Sequence, residues 1–283
     1  MPPIVFSDIG KAASDLLGKD FPVGSIKLET KTTASNGVNF TVSGAKDNKT
    51  GGIAGELKTK YADKARGLTL TETWTTSNVL SAEVELADSL TKGLKLNLLG
   101  SLLPHAGTKN AKVSLEYKQD ALATRSSIDL FKGPIATADL ALNHDGILFG
   151  AETAYDLASG NVTKYNFAFG YATREYAMAL HAANKLDTFA GSYFHKVNKE
   201  LEAGGRATWD RKSGANVSLE LAAKYALDKD AFVKAKIDNA GKLGLGYTQV
   251  LRPGVKASLG GVFDTTRLGE NVHKVGMSIV LDA

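Results

Sequence analysis

The sequence predicts an all-β fold: a transmembrane antiparallel β-barrel preceded by one short helix. First, from Gly24 to the end of the chain, apolar and polar residues alternate with a period of two. Second, turn residues separate these segments about every 10 to 15 residues. Third, the segments are about ten residues long, which exceeds the usual strand of soluble sheets and matches a tilted membrane-crossing strand. A meander of about 18 to 20 such strands must close or split, because an open one leaves two exposed edges.

The first unit, residues 1–20, has the pattern of a short amphipathic helix. Ser7 is the expected N-cap and Gly18 marks the expected end. Apolar residues fall at helical spacing on one side of this segment: Ile9, Ala12, Ala13, Leu16 and Leu17. Pro22 and Gly24 then separate the helix from the β-region, and they are the candidate hinge on which the helix moves.

The β-region, residues 21–283, shows no break in composition and is predicted to be a single domain. In one segment Leu94, Leu96 and Leu98 alternate with Lys95 and Asn97. Closure at this strand number leaves an interior too wide for side chains to fill, so a water-filled lumen is expected. The charged residues expected to face it are Lys27, Glu29, Lys31, Lys95, Lys112, Glu116, Arg125, Asp129, Asp139, Glu152, Lys164, Arg206, Glu220, Lys224, Lys234, Lys236 and Lys256. Because one face of each strand contacts lipid and the other contacts water, the apolar and polar residues average to a nearly neutral mean hydropathy of -0.12.

Composition excludes several classes of protein. The chain has no cysteine, which excludes disulfides, thiolate metal sites and a cysteine nucleophile. Its net charge of +4 is spread along the chain, so no nucleic acid partner is required. The start of the chain has no secretory signal, and no apolar run is long enough for a transmembrane helix. The five histidines lack metal-ligand spacing and no phosphate-binding loop is present, so neither enzyme activity nor a cofactor or metal is expected.

Three stretches carry a resemblance to a known family, and together they span nearly the whole chain. They are residues 2–11, residues 61–74 with 92–96, and residues 225–247. The last stretch, from Tyr225-Ala226-Leu227-Asp228 to Tyr247, is similar to the eukaryotic porin signature, although Lys229 departs from the usual small or acidic residue. On these residues the chain resembles the voltage-dependent anion channels, the porins of the mitochondrial outer membrane, and specifically a fungal member.

The resemblance implies a barrel of about nineteen strands with the first and last parallel and the helix inside the pore. It implies a voltage-gated, weakly anion-selective channel that lets ATP, ADP, other metabolite anions and ions cross the mitochondrial outer membrane. The expected partners are membrane lipid, the permeating nucleotides and anions, further copies of the chain and other proteins of the mitochondrial surface. Once the strand ends are included, basic and acidic residues on the inward faces are nearly balanced, so anion preference would depend on Lys11, Lys19 and the placement of lysines at the constriction.

Three lysines are the expected pore and nucleotide contacts. The resemblance places Lys11 and Lys19 of the helix in the narrowest part of the pore. It also links the triplet Gly93-Leu94-Lys95 to nucleotide binding. Taken alone, single lysines of this kind are more often part of a solvated face.

A second region is the candidate contact for nicotinamide nucleotide, again from the resemblance. Its residues are Lys242, Leu243, Gly244, Gly260, Gly261, Val262, Phe263 and Asp264. The residues by themselves favour plain β-hairpins, because the region lacks the third glycine of a dinucleotide-binding fingerprint.

Glu72 is the most informative single position. It shares the parity of Leu70 and Trp74, whereas Thr71 and Thr73 have the other parity, so Glu72 is expected to face lipid. The alternatives are a bulge that turns it inward or a position near the headgroups. An ionised carboxylate at mid-depth costs up to a few kcal/mol. The hypothesis is therefore that Glu72 tunes barrel dynamics, partner binding or dimerisation, in keeping with the membrane-facing glutamate of the family.

Three alternatives to the channel remain open at this point. The related protein-import channel of the same membrane has the same barrel but longer terminal extensions. A soluble β-rich ligand-binding protein would also show period-two strands. A bacterial porin is the least favoured, because the chain has no signal peptide and ends Leu281-Asp282-Ala283 without a terminal aromatic residue.

Overall fold

The computed structural model describes residues 4–131, 133–214 and 216–282. The predicted N-terminal unit begins with Met1, Pro2 and Pro3, which lie outside the described residues. The described chain begins with a single 3₁₀ turn, Phe6–Asp8, followed by the helix α1, Lys11–Gly18. Both of these segments precede the first strand, and a further 3₁₀ turn, Pro104–Ala106, lies between the sixth and seventh strands.

The N-terminal helix is interrupted, and the predicted N-cap is wrong. Ser7 lies inside the 3₁₀ turn, and Gly10 is the N-cap of α1 with a φ of 76°. Glycine reaches this left-handed backbone without a steric penalty, so the chain turns at Gly10 before the α-helix begins. The predicted end at Gly18 is confirmed.

Nineteen strands follow the helix. They are β1 Ser25–Thr33, β2 Asn39–Asp47, β3 Ile53–Asp63, β4 Leu68–Thr75, β5 Leu80–Ala87, β6 Leu94–Leu103, β7 Thr108–Gln119, β8 Leu122–Asp129, β9 Ile135–His144, β10 Ile147–Asp156, β11 Asn161–Ala172, β12 Tyr176–Ala183, β13 Thr188–Lys196, β14 Leu201–Asp210, β15 Ser218–Ala226, β16 Ala231–Asp238, β17 Lys242–Arg252, β18 Val255–Asp264 and β19 Lys274–Asp282. Their lengths run from 8 to 12 residues. Most therefore have the length that a tilted membrane-crossing strand requires.

The strands form one closed sheet. Each strand pairs antiparallel with the next along the chain, and β1 closes the ring by pairing parallel with β19, from Ile26 opposite Met277 to Lys31 opposite Asp282. An odd number of alternating strands leaves the first and last pointing the same way, so the closing pair must be parallel. The predicted barrel of about nineteen strands, with its parallel closure, is confirmed.

The two faces of each strand differ as a membrane barrel requires. On β4, Leu70 and Trp74 are exposed on the outer surface, while Thr71 and Thr73 lie on the lumen side. Large apolar side chains are exposed all around the barrel, among them Leu28, Phe40, Leu57, Leu98, Leu140, Phe169, Leu180, Leu221, Leu245 and Leu259. Such a surface is stable when lipid covers it.

The N-terminal segment lies inside this barrel. The helix α1 packs against β13, β14 and β15, and the 3₁₀ turn packs against β9 and β10. Among the described residues, no helix combines the length and apolar character needed to cross a membrane.

Candidate functional site

The candidate site is the lumen, whose two sides differ. We call the inner faces of β9–β19, which contact the N-terminal segment, the helix-lined wall. We call the inner faces of β2–β8 the helix-free wall. Between residues 18 and 122 no described residue is fully buried, whereas the later strands hold most of the buried side chains. The open path through the barrel therefore lies between the helix and the helix-free wall.

The first part of the N-terminal segment is held by apolar contacts. Phe6 and Ile9 form a buried cluster with Leu148, Ala168 and Ala179 of β10, β11 and β12. Their close approach requires a glycine in the wall. A Cβ at Gly150 would stand 2.6 Å from Cδ2 of Phe6 and 2.7 Å from Cδ1 of Ile9.

The α-helix continues this contact along the wall. Leu16 and Leu17 are 3% exposed and pack against Ala222 of β15, with Phe194 beside them. Gly204 of β14 leaves room for Leu16, whose Cδ2 would lie 3.2 Å from a Cβ at that position. The apolar side of the helix is thus buried against β13–β15, and its charged side faces the lumen.

The lysines on the charged side of the helix form ion pairs within the N-terminal segment itself. Nζ of Lys11 lies 2.8 Å from Asp8 Oδ1, and Nζ of Lys19 lies 2.8 Å from Asp15 Oδ2. The hydrogen bond to the Asp8 carboxylate raises the pKa of Lys11 above its ordinary value, so this lysine stays charged at neutral pH. The structure places both predicted lysines on the lumen side, each within an ion pair.

The third predicted contact, Lys95, is also paired. Its Nζ lies 2.7 Å from Glu85 Oε2 across β5 and β6. Four further pairs of lumen charges meet across neighbouring strands: Arg125 with Asp139 at 2.8 Å, Lys164 with Glu152 at 3.0 Å, Arg206 with Glu220 at 2.7 Å and Lys224 with Glu202 at 3.6 Å. Paired charges nearly cancel at a distance, so they contribute little net potential to the pore.

Two lysines on the helix-free wall differ from these, and sequence reasoning missed them. Lys58 and Lys60 of β3 are exposed, and the described part of the chain places no carboxylate within ion-pair distance of either. Their register neighbours are hydroxyl and amide side chains: Thr41 and Thr73 beside Lys58, and Asn39 and Thr71 beside Lys60. The signal was present, because Lys58 and Lys60 alternate with the apolar residues Leu57 and Tyr61.

Glu72 lies on the outer surface of the barrel. It is exposed on β4 between Leu70 and Trp74, which are 39% and 57% exposed on the same face. Its register neighbours are Thr59 and Ala82. A hydroxyl is therefore the polar group that the two adjacent strands place directly beside this carboxylate.

The eight candidate residues for nicotinamide nucleotide are divided between two faces. Gly260 faces the lumen, because a Cβ there would meet the oxygen of Pro22 at 2.5 Å. By alternation, Gly261 and Phe263 face outward. Lys242, Gly244, Val262 and Asp264 share the inner parity, and Leu243 the outer one. The eight residues do not form one surface, and contact with a nicotinamide nucleotide stays a prediction.

The candidate hinge is held by contacts on both sides. Pro22 lies against Gly260 and Gly276. Gly24 has a φ of 71°, and its N–H donates to the carbonyl of Val275 at 3.0 Å while its own carbonyl accepts from the N–H of Asn48 at 3.0 Å. Movement at this hinge stays a prediction.

Within the described ranges, no three histidine or acidic side chains come close enough to hold a metal ion. The arrangement instead suits a wet, charged passage through an apolar shell.

Comparison with known proteins identifies this architecture. The family model described as eukaryotic porin matches residues 2–276. A mitochondrial outer membrane porin of Candida albicans is 47% identical over 99% of both chains, and a voltage-dependent anion-selective channel of Drosophila melanogaster is 39% identical over 100% of both. The higher identity to the fungal protein agrees with the predicted fungal character. A solved structure described as "Asymmetric conductivity of engineered proteins" is 11% identical, with a TM-score of 0.50 over 90% of this chain and 97% of that one, and supports the fold alone.

Proposed function

The chain belongs to the eukaryotic porin family, and we propose that its lumen is the passage of a voltage-gated, weakly anion-selective channel. The channel resides in the mitochondrial outer membrane, in agreement with relatives described as a mitochondrial outer membrane porin and a voltage-dependent anion-selective channel. The permeating species are ATP, ADP and other small hydrophilic anions and ions.

One observation carries this proposal: the barrel is apolar outside and charged inside. Nineteen strands close a ring whose exposed outer side chains suit lipid, and whose lumen holds paired charges in water. A closed barrel with no unpaired edge is one of the two architectures that span a membrane. A barrel of this size leaves an aqueous channel.

The weakness of the anion preference follows from how the charges are arranged. Lys11, Lys19 and Lys95 each have a carboxylate partner, so each pair adds little net potential. Lys58 and Lys60 have no carboxylate within ion-pair distance, and on the same wall Glu56 of β3 and Glu83 of β5 likewise have no cationic partner among the described residues, so the net positive charge is small. A few uncompensated cations in a confined pore raise the local anion concentration modestly. These two lysines, surrounded by hydroxyl and amide groups, form the part of the wall best suited to contact phosphates in transit.

The test is conductance of the purified chain in a planar bilayer, with a voltage ramp and a salt gradient. We expect large conductance steps and partial closure of the channel at both polarities. In the salt gradient, the reversal potential should indicate a weak preference for anions. Absence of conductance from well-folded protein would overturn the proposal.

Two double variants test which lysines cause the anion preference. Lys58→Gln with Lys60→Gln removes two net charges, and we expect the reversal potential to move toward cation preference. Lys95→Gln with Glu85→Gln removes one ion pair from the same wall with no change in net charge, and is the matched control. Equal shifts in the two variants would show that the unpaired lysines do not set selectivity.

A further inference from the structure

The C-terminal end of the helix is bound by two lysines from a distant strand. Nζ of Lys234 donates to the carbonyl of Asp15 at 3.1 Å and of Lys19 at 2.8 Å, and Nζ of Lys236 donates to the carbonyl of Leu17 at 2.9 Å. Both lysines belong to β16. They approach the helix from the wall, and at least 215 residues of sequence separate them from the carbonyls they bind.

These contacts supply what the helix lacks at its own end. The last carbonyls of any α-helix have no intrahelical partner, and this end of the helix carries partial negative charge. The last turn of α1 contains no basic residue. Lys19, the residue that follows, directs its ammonium group to Asp15. Lys234 and Lys236 therefore act as the missing cap, supplied by the barrel.

The environment of Lys234 shows that this contact is built into the wall. Its side chain is 3% exposed, and Asp20 Oδ2 is 3.9 Å from its Nζ. The ring of Phe21 lies 5.1 Å from Nζ of Lys234 and 4.6 Å from Nζ of Lys236. A buried ammonium group is costly unless it is well bonded, so Lys234 depends on the helix as much as the helix depends on it.

A row of glycines beside the lysines receives the chain that leaves the helix. Gly246, Gly260 and Gly276 are register neighbours on β17, β18 and β19. A Cβ at Gly246 would stand 2.6 Å from the carbonyl oxygen of Asp20, and one at Gly260 would stand 2.5 Å from that of Pro22. Only glycine lets the connecting segment lie this close to the wall.

We propose that Lys234, Lys236 and this glycine row form a latch that holds the C-terminal end of the pore helix against the wall. The stretch of residues 225–247, the most specific part of the sequence resemblance, contains both lysines and the first glycine of the row. In this assignment the latch residues are positioning residues, since they act on the pore through the helix.

The latch has a consequence for the lumen. While the helix is docked, the ammonium groups of Lys234 and Lys236 are bonded to backbone carbonyls. Release of the helix would expose two additional cations on the wall.

A thiol probe on the helix tests the latch without relying on conductance. Ala13 is 2% exposed, and the chain has no cysteine of its own. In the variant Ala13→Cys, the single thiol is therefore expected to react with a water-soluble reagent only when the helix leaves the wall. In that background, Lys234→Met with Lys236→Met is expected to raise the modification rate by about tenfold or more.

The matched control is Lys224→Met on the neighbouring strand. Lys224 is the register neighbour of Lys234 and pairs with Glu202 of β14, so its loss removes a charge from the same wall but, among the described residues, no hydrogen bond to the helix. This variant should leave the modification rate at the parent value. Equal rates for the double variant and Lys224→Met would overturn the latch.

If the double variant does not form a barrel, single variants still allow the proposal to be tested. Lys236→Met alone is expected to raise the rate, and Lys236→Arg, which keeps a donor, is expected to restore it toward that of the parent. Gly260→Ala should also raise the rate by displacing Pro22, whereas Gly44→Ala, with no atom within 4 Å of the added Cβ, should not. Rates unchanged in both Lys236→Met and Gly260→Ala would overturn the proposal.

Discussion

The helix-lined and helix-free walls follow the same strand pattern but meet different surroundings. Under the helix, the inward positions include small residues such as Gly150, Ala168 and Gly204, which let apolar side chains reach the backbone. On the helix-free wall the inward positions include Lys58 and Thr73, which face water. Small inward residues thus mark the places where apolar side chains of the N-terminal segment pack, whereas inward residues such as Lys58 and Thr73 meet solvent.

The lysines of the two walls also differ in what surrounds them. On the helix-lined wall, Lys234 and Lys236 are bonded to the helix backbone. On the helix-free wall, Lys58 and Lys60 remain available to the lumen. One wall therefore positions the helix, and the other is the better candidate for contact with permeating anions.

The largest expected effect is the loss of an apolar anchor from the helix-lined wall. Ile9→Ala removes a side chain that is 4% exposed, and such truncations cost about 2 to 5 kcal/mol. In the Ala13→Cys background the modification rate should rise by at least about 25-fold, since each 1.4 kcal/mol is tenfold.

The control for this prediction lies on the helix-free wall. Leu99→Ala truncates a lumen-facing side chain of β6 that is 38% exposed and lies outside the two apolar clusters that hold the N-terminal segment. Its rate should equal that of the parent. Similar increases in both variants would show that the helix is not held by its local contacts, and that the two walls are not distinct.

A smaller effect is expected at the outer face of the helix-free wall. Glu72→Gln replaces a carboxyl group on a lipid-facing surface by a neutral amide, which should stabilise the folded barrel by up to about 2 kcal/mol. Denaturant unfolding in lipid vesicles at neutral pH measures this change. We also propose that Glu72 influences gating and self-association, which bilayer recordings and cross-linking in vesicles would follow.

Glu83→Gln is the matched variant on the lumen side of the next strand. Glu83 accepts a hydrogen bond from Nδ2 of Asn97, so its replacement should not stabilise the barrel. If both variants behaved alike, the outward position of Glu72 would have no energetic consequence. If gating and self-association were also unchanged in Glu72→Gln, its proposed role would be wrong.

The smallest effect concerns a turn outside the membrane-crossing strands. Between β12 and β13, Asp187 lies 2.5 Å from Nζ of Lys212 and 2.9 Å from Nη2 of Arg211. The hydrogen bonds from these cations, Lys212 first, hold the pKa of the Asp187 carboxyl below its ordinary value. The cluster therefore stabilises the folded chain above about pH 4, the ordinary range of aspartate, and this contribution is lost as pH falls through the lowered pKa.

Unfolding midpoints between pH 7 and pH 3 test this assignment. Asp187→Asn should lower the midpoint at pH 7 and reduce its fall toward pH 3. Asp145→Asn, in the turn between β9 and β10, replaces a carboxylate that is 90% exposed and should behave as the parent does. An unchanged pH profile in Asp187→Asn would show that the turn is stabilised without its ion pairs.

Much of the fold could be predicted because period-two patterns are local. Alternation such as that of Leu94 to Leu98 assigns each residue to a face, and turn residues divide the chain into strands. The lumen position of Lys95 followed from the same parity. The interruption of the helix at Gly10 was not predicted, because a glycine at that position is also compatible with a continuous helix.

Local patterns along the chain were therefore enough to assign the strands, their two faces and, through the resemblance, the family. The pairing of the lysines depends instead on the folded strands, because Lys95 and Glu85 meet only in the register that β5 and β6 adopt. The same holds for Lys234 and Lys236, whose partners are backbone carbonyls of a helix near the other end of the chain. A backbone carbonyl has no sequence signature, so its side-chain partners become visible only once the barrel has closed around the helix.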